Sequence, residues 1–142
     1  MREKIINIFI IIALTQVCLS CHLVDSNNTI DTQINSKNVH YVVNMISSSV
    51  SANPIIKYIN QNGDTAQVQI MNLDIIQQIK VGLTANLEAS CEGTNGPPFF
   101  KSSAAVDLKI YVNDTLKTEA HDFKTDSLTT VTASTKCNYV IK

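Results

Sequence analysis

Residues 55–70 read IIKYINQNGDTAQVQI. A short β-branched run follows Pro54, the dipeptide Asn62-Gly63 interrupts it, and Ala66, Val68 and Ile70 then alternate with Gln67 and Gln69. Asn-Gly between two such segments is the strongest short hairpin signal, because the tight turn that matches strand twist needs positive φ at both central positions. One face of the second arm is apolar and the other is amide. That pattern predicts an antiparallel hairpin with one face on a core and one in solvent.

The same period of two extends in both directions. Val39, Tyr41, Val43 and Met45 alternate with His40, Val42 and Asn44. Ile75, Ile79, Val81, Leu83, Ala85, Leu87, Ala89 and Cys91 share odd parity over a stretch too long for one ordinary strand. Gly82 offers a bend that would split it in two. A helical reading of 74–80 fails on length. After a loop from Glu92 to Ser103, Ala104, Val106, Leu108, Ile110 and Val112 alternate with Asp107, Lys109 and Tyr111. Asn113-Asp114 marks a second tight turn, 115–120 returns, and Thr-rich segments at 128–133 and 135–141 close the chain. Seven or eight short strands at regular spacing predict an all-β protein, an antiparallel, immunoglobulin-like β-sandwich over 38–142.

The 142 residues carry 11 basic and 12 acidic side chains, a net charge of −1, which gives no electrostatic reason to expect nucleic acid as a partner. Apolar residues make up 44% and charged ones 16%, which excludes a disordered polar chain. The first twenty residues have a basic start, an apolar run from Ile8 to Leu14 and a small-residue end, the layout of a secretory signal. The run is about half the roughly 20 residues that a membrane-spanning helix needs. Residues 21–37 are polar and aperiodic and read as a tether, able to hold a domain at most about 50 Å from a bilayer.

The signal ends Leu19-Ser20-Cys21. It resembles a bacterial lipoprotein signal, in which a small residue precedes a cysteine whose thiol takes lipid, in the relaxed form found in Bacteroidota. Cys18 stands where those signals usually have Leu or Val. The resemblance implies that Cys21 is lipidated and that the membrane is reached through a lipid anchor, with an envelope protein as a further partner. Cys18 leaves with the signal. Were Cys21 lipidated, Cys91 and Cys137 would be an even pair in an oxidising compartment, and a structural disulfide between them is expected. The alternative is cleavage after Ser20 without lipid, giving a secreted immunoglobulin-like binding protein or effector. In that reading the sequons at Asn27 and Asn113 could carry sugar.

The chemistry-bearing residues form no recognisable catalytic pattern. His22, His40 and His121 lack metal-ligand spacing, and the aspartates at 107, 114, 122 and 126 are scattered over strands and turns. Ser47-Ser48-Ser49 has no evident base partner. The expectation is therefore a non-enzymatic chain with no cofactor and no metal. Pro97-Pro98-Phe99-Phe100 in the longest loop is a candidate contact loop.

The order of elements adds a second resemblance. Residues 39–43 (VHYVV), 54–68 (PIIKYINQNGDTAQV) and 107–119 (DLKIYVNDTLKTE) are similar to the small β-sandwich domain of the mycobacterial MmpS-type transport accessory family, and to Bacteroidota lipoproteins carrying a similar domain. The likeness spans about 39–141. It rests on a Tyr-x-Asn-x-x-Gly hairpin followed by Gln-Val, and on a late Lys-Ile-Tyr hairpin. Asp74-Ile75 replaces the family's frequent Pro-Trp, and Asn113-Asp114 lacks a following Gly. The resemblance implies a non-enzymatic accessory role at the cell envelope.

Overall fold

The structure, a computed structural model, describes residues 35–49, 51–95, 101–127 and 129–142. The signal segment, Cys21 and the loop residues Pro97, Pro98, Phe99 and Phe100 lie outside the described residues. Eight strands follow in order: β1 Ser36–Ser47, β2 Ile55–Ile59, β3 Thr65–Val68, β4 Asn72–Lys80, β5 Thr84–Gly93, β6 Ser102–Val112, β7 Thr115–Asp126 and β8 Val131–Val140. They form two four-stranded antiparallel sheets, β4-β1-β6-β7 and β3-β2-β5-β8. The predicted sandwich is what the chain builds, with eight strands.

The predicted alternation maps onto burial. In β1, Val39, Tyr41, Val43 and Met45 are buried; in β6, Ala104, Val106, Leu108, Ile110 and Val112 are. Leu87, Ala89 and Cys91 of β5 and Ile56 and Tyr58 of β2 meet them from the other sheet, so the core is the layer between the sheets. The expected hairpin is β2–β3, but its connection is a five-residue loop, Asn60 to Asp64, rather than a two-residue turn: Gly63 alone has positive φ, +87°, and Asp64 C=O accepts from Asn60 N–H at 2.9 Å. Asn113 and Asp114 both have positive φ, 48° and 61°, the twist-matching turn that joins β6 to β7.

The bend at Gly82, φ +92°, does more than divide one strand. It carries the chain from the first sheet, where β4 lies, to the second, where β5 lies. Odd parity stays inward on both sides because each strand presents its odd residues to the same core. β1 begins at Ser36, two residues inside the stretch expected to be tether. The two closing segments are one strand, β8.

The expected disulfide between Cys91 and Cys137 is not present: both are buried free thiols. The reason is register. β5 and β8 are hydrogen-bonded neighbours and both cysteines face inward, as parity suggests, but Cys91 stands opposite Ala133, and Cys137 opposite Leu87. Four residues of offset separate the cysteines by about 13 Å along the strands, and a disulfide needs Cα atoms within about 7 Å. Burial pushes the Cys137 thiol up to about 11 and also raises Cys91, whose Sγ lies 3.6 Å from the Ala105 carbonyl oxygen. Both are inert core residues.

One end of the sandwich is tied by hydrogen bonds around the serines of 47–49. Ser48 N–H donates to Ser103 C=O at 2.9 Å, and Ser103 N–H donates to Ser48 Oγ at 2.9 Å. Ser48 Oγ in turn donates to Thr94 C=O at 3.0 Å, and Ser47 Oγ donates to Glu92 C=O. β1 and β6 of one sheet are thereby fastened to the end of β5 in the other. These serines hold the fold together; they are bonded to backbone, not to a base.

Candidate functional site: the outer face of the first sheet

Register places the even residues of β4 and β1 and the odd residues of β6 on the outer face of the first sheet. Two rows across this face are apolar. In one, Ile76 (β4), His40 (β1), Tyr111 (β6) and Leu116 (β7) stand in direct register across all four strands. In the other, Ile46, Ala105 and Phe123 stand in register across β1, β6 and β7. Ile46 is 69% exposed, Ile76 59%, Phe123 55% and Leu116 43%. Four of the seven large apolar side chains exposed among the described residues therefore lie on this one face. Exposed apolar side chains scattered singly need no explanation, whereas ones gathered in rows mark a contact surface.

A polar band lies between the rows. Asp74, Val42, Lys109 and Glu119 form one line across it, and Asn72, Asn44, Asp107 and His121 the next. Both described histidines are tied to aspartates here. His40 Nε2 donates to Asp74 Oδ1 at 2.6 Å, and His121 Nδ1 donates to Asp107 Oδ1 at 2.5 Å. An ionised carboxylate only accepts, so the proton must sit on the ring nitrogen in each pair. His40 also stacks against Tyr111 with ring centroids 5.6 Å apart, which fixes the middle of the first apolar row. These exposed pairs orient the imidazoles; at such exposure they stabilise the fold little. His121, next to Asp122 in sequence, thus finds its partner across the strand pair instead. Among the described residues no group of three or more His, Cys, Asp or Glu could hold a metal ion.

The second sheet's outer face differs in kind. A depression of about 290 Å³ there is lined in part by Lys57, Asn86, Glu88, Lys136 and Asn138. Lys57 Nζ lies 3.7 Å from Glu88 Oε1, with both side chains about half exposed. These are solvated charges that neutralise one another.

Of the residues singled out from sequence, Cys91 and Cys137 belong to the core, and Cys21 and 97–100 lie outside the described residues. The base of the candidate contact loop is described: Gly93 ends β5 and Ser102 begins β6, at the end of the sandwich where Ile46, Ala105 and Phe123 form their row. The apolar rows themselves escaped the sequence reading. Their signal was apolar residues at outward parity, Ile46 beside Met45 and Ile76 beside Ile75, which the search for inward alternation passes over. No family model matches this chain, and no curated protein and no solved structure matches it either.

Proposed function

We propose that this chain is a non-enzymatic cell-envelope lipoprotein whose sandwich serves as a binding or transport-accessory module. Cys21 is the anchor, the polar stretch after it the tether, and the outer face of the first sheet the surface offered to another envelope protein. The observation that carries the reading of the domain as a binding module is the pair of apolar rows, Ile76-His40-Tyr111-Leu116 and Ile46-Ala105-Phe123. A sheet face with no partner in its own fold and this much apolar surface fits protein contact better than solvent. The signal-like start and the Leu19-Ser20-Cys21 end support the anchor. The resemblance to transport accessory domains supports the accessory role.

Metabolic labelling with a fatty-acid probe tests the anchor. Wild-type chain is expected to take the label and to fractionate with membranes, and Cys21→Ala to lose both. Unchanged labelling and fractionation in Cys21→Ala would overturn the anchor. The secreted alternative has one observation in its favour: Asn113 sits exposed at the β6–β7 turn, open to modification. Intact mass separates the two readings, because lipid on Cys21 and sugar on Asn113 add different masses to different peptides.

A further inference from the structure

The four edge strands of the sandwich are not equivalent. β3 has only four residues. β7 and β8 close on each other: Asp122 of β7 accepts from the backbone N–H of Ser134 on β8 at 2.9 Å. That N–H points away from β5, as the ladder requires. Ile141 N–H donates to Leu83 C=O, so odd residues of β8 turn their backbone groups toward β5 and even ones toward the free side. Asp122 therefore occupies an edge position of β8, one of the ways sheets blunt an edge.

β4 has no such cover among the described residues. Met45 N–H donates to Met71 C=O at 3.1 Å, and Val81 N–H to Asn35 C=O at 2.7 Å. These contacts bracket the β1–β4 register and fix its phase: odd residues of β4 bond to β1. The backbone N–H and C=O groups of Asn72, Asp74, Ile76 and Gln78 and the N–H of Lys80 then point away from the sheet, while Lys80 C=O accepts from Leu83 N–H at 3.2 Å in the following turn; all five residues are exposed. The strand is nine residues long, with no proline and no recorded irregularity in its pairing with β1. Among the described residues its hydrogen bond toward the other sheet, Gln61 N–H donating to Gln77 Oε1 at 3.1 Å, uses a side chain and leaves the edge N–H groups open.

We infer that a second copy of this chain pairs antiparallel with β4, about a two-fold axis through Ile76, to make a continuous eight-stranded sheet. The register selects the occupant. With the axis at Ile76, Asn72 faces Lys80 of the second copy, Asp74 faces Gln78, and Ile76 faces its own counterpart. Every outward N–H of the five edge residues, and every outward C=O but that of Lys80, which Leu83 N–H already engages, gains a partner, and no like charges stand opposite. An axis at Asp74 would set two carboxylates face to face. An axis at Ile75 leaves Lys80 outside the matched run, and one at Gln77 leaves Asn72 outside it. A two-fold contact of this kind is self-complementary and closes at two copies. It also joins the apolar rows: Leu116-Tyr111-His40-Ile76 runs on through the second Ile76 to the second Leu116. The inference concerns the edge and holds whether or not the face binds a further protein.

Cysteine crosslinking of the full chain in intact cells tests it. Ile76→Cys, placed on the axis, is expected to give an oxidant-induced, reductant-sensitive band of doubled mass well above the wild-type background. Asn86→Cys on the other sheet should stay at background. Adding Gln78→Pro to Ile76→Cys deletes an edge N–H while leaving the bonds to β1. The doubled band should fall at least tenfold, with the melting temperature of the purified double variant near wild type. Three results would overturn the inference: background dimer from Ile76→Cys although a maleimide labels the new thiol, equal dimer from Asn86→Cys, or an adduct of different mass, which would place another protein on this edge. If the double variant melts early, Gln78→Asp with Asn72→Lys replaces it. Those substitutions set an aspartate opposite Asp74 and a lysine opposite Lys80 at exposed sites, so like charges face each other across the axis, and undiminished dimer there would also contradict the axis.

Discussion

The two sheets bury similar inner faces and expose different outer ones. The first sheet turns Ile46, Ile76, Tyr111, Leu116 and Phe123 outward; the second turns out Lys57, Asn86, Glu88, Lys136 and Asn138. Folding alone asks only that one face of each sheet be apolar. The second sheet meets that requirement with a mostly polar outer face, where Val140 at the end of β8 is the one large apolar side chain exposed among the described residues. The first carries apolar side chains on both faces, and the outer set contributes nothing that the sandwich needs for its own core. The contrast separates residues that specify the fold from residues available for contact, and it makes the first sheet the place to look for function.

The largest effects are expected where the two sheets meet. A Cβ on Gly93 would lie 2.0 Å from the carbonyl oxygen of Ser103, in the backbone knot that ties β5 to β6. Gly93→Ala should cost about 3 kcal/mol or prevent folding, measured by chemical denaturation. Leu108→Ala, on the inner face of the first sheet, should cost about 3 kcal/mol, because a fully buried side chain leaves a cavity. A loss below about 1 kcal/mol at Leu108 would blur the distinction between inner and outer residues.

A middle-sized effect concerns the thiols of the second sheet. Reducing agent should leave the melting temperature unchanged, where loss of a native disulfide would typically cost about 2–5 kcal/mol. Native Cys91 and Cys137 should resist alkylation at neutral pH and react after unfolding. The pH dependence follows from their raised thiols. Above the unfolded-state value of about 8.5 the unfolded chain loses these protons while the folded one keeps them. Stability should therefore fall as pH rises from there toward the folded value of Cys137, about 11. Rising stability over that window would contradict the burial of these groups.

The smallest effects are expected on the outer faces. Ile76→Ser and Phe123→Ser should each change stability by less than about 0.5 kcal/mol, like Asn86→Ser on the other sheet. Asp122 gives a pH test of the closed edge. The Ser134 N–H holds its carboxyl below the usual carboxylate range, assisted by Lys124. Its contribution is present above the unfolded value of about 3.9 and is lost as pH falls through the folded one. The small stability gap between wild type and Asp122→Asn should close as the pH drops below about 4.

Local chemistry made the strands readable from sequence, while long-range pairing kept the surface hidden. Val39 to Met45, the Asn62-Gly63 turn and the parity of Ala104 to Val112 announce inward faces because alternation is a property of a single strand. The sheet to which a strand belongs is not. Odd residues face inward in both β4 and β5 although these strands lie in different sheets, and the series breaks only at the turn, where Leu83 is exposed. The cysteine pair failed for the same reason: facing inward on neighbouring strands is a local fact, and standing opposite Ala133 and Leu87 is a matter of register. The pairings of His40 with Asp74 and His121 with Asp107 also depend on that register.

The central claim is that the first sheet's outer face is the working surface, and in-cell photocrosslinking measures it most directly. A photoreactive side chain is placed at Tyr111, in the middle of the first apolar row, and separately at Asn86, on the second sheet. The expected result is a discrete crosslinked species from Tyr111, reduced when Phe123→Glu and Leu116→Glu are added, and none from Asn86. A discrete species from Asn86 with none from Tyr111 would contradict the account.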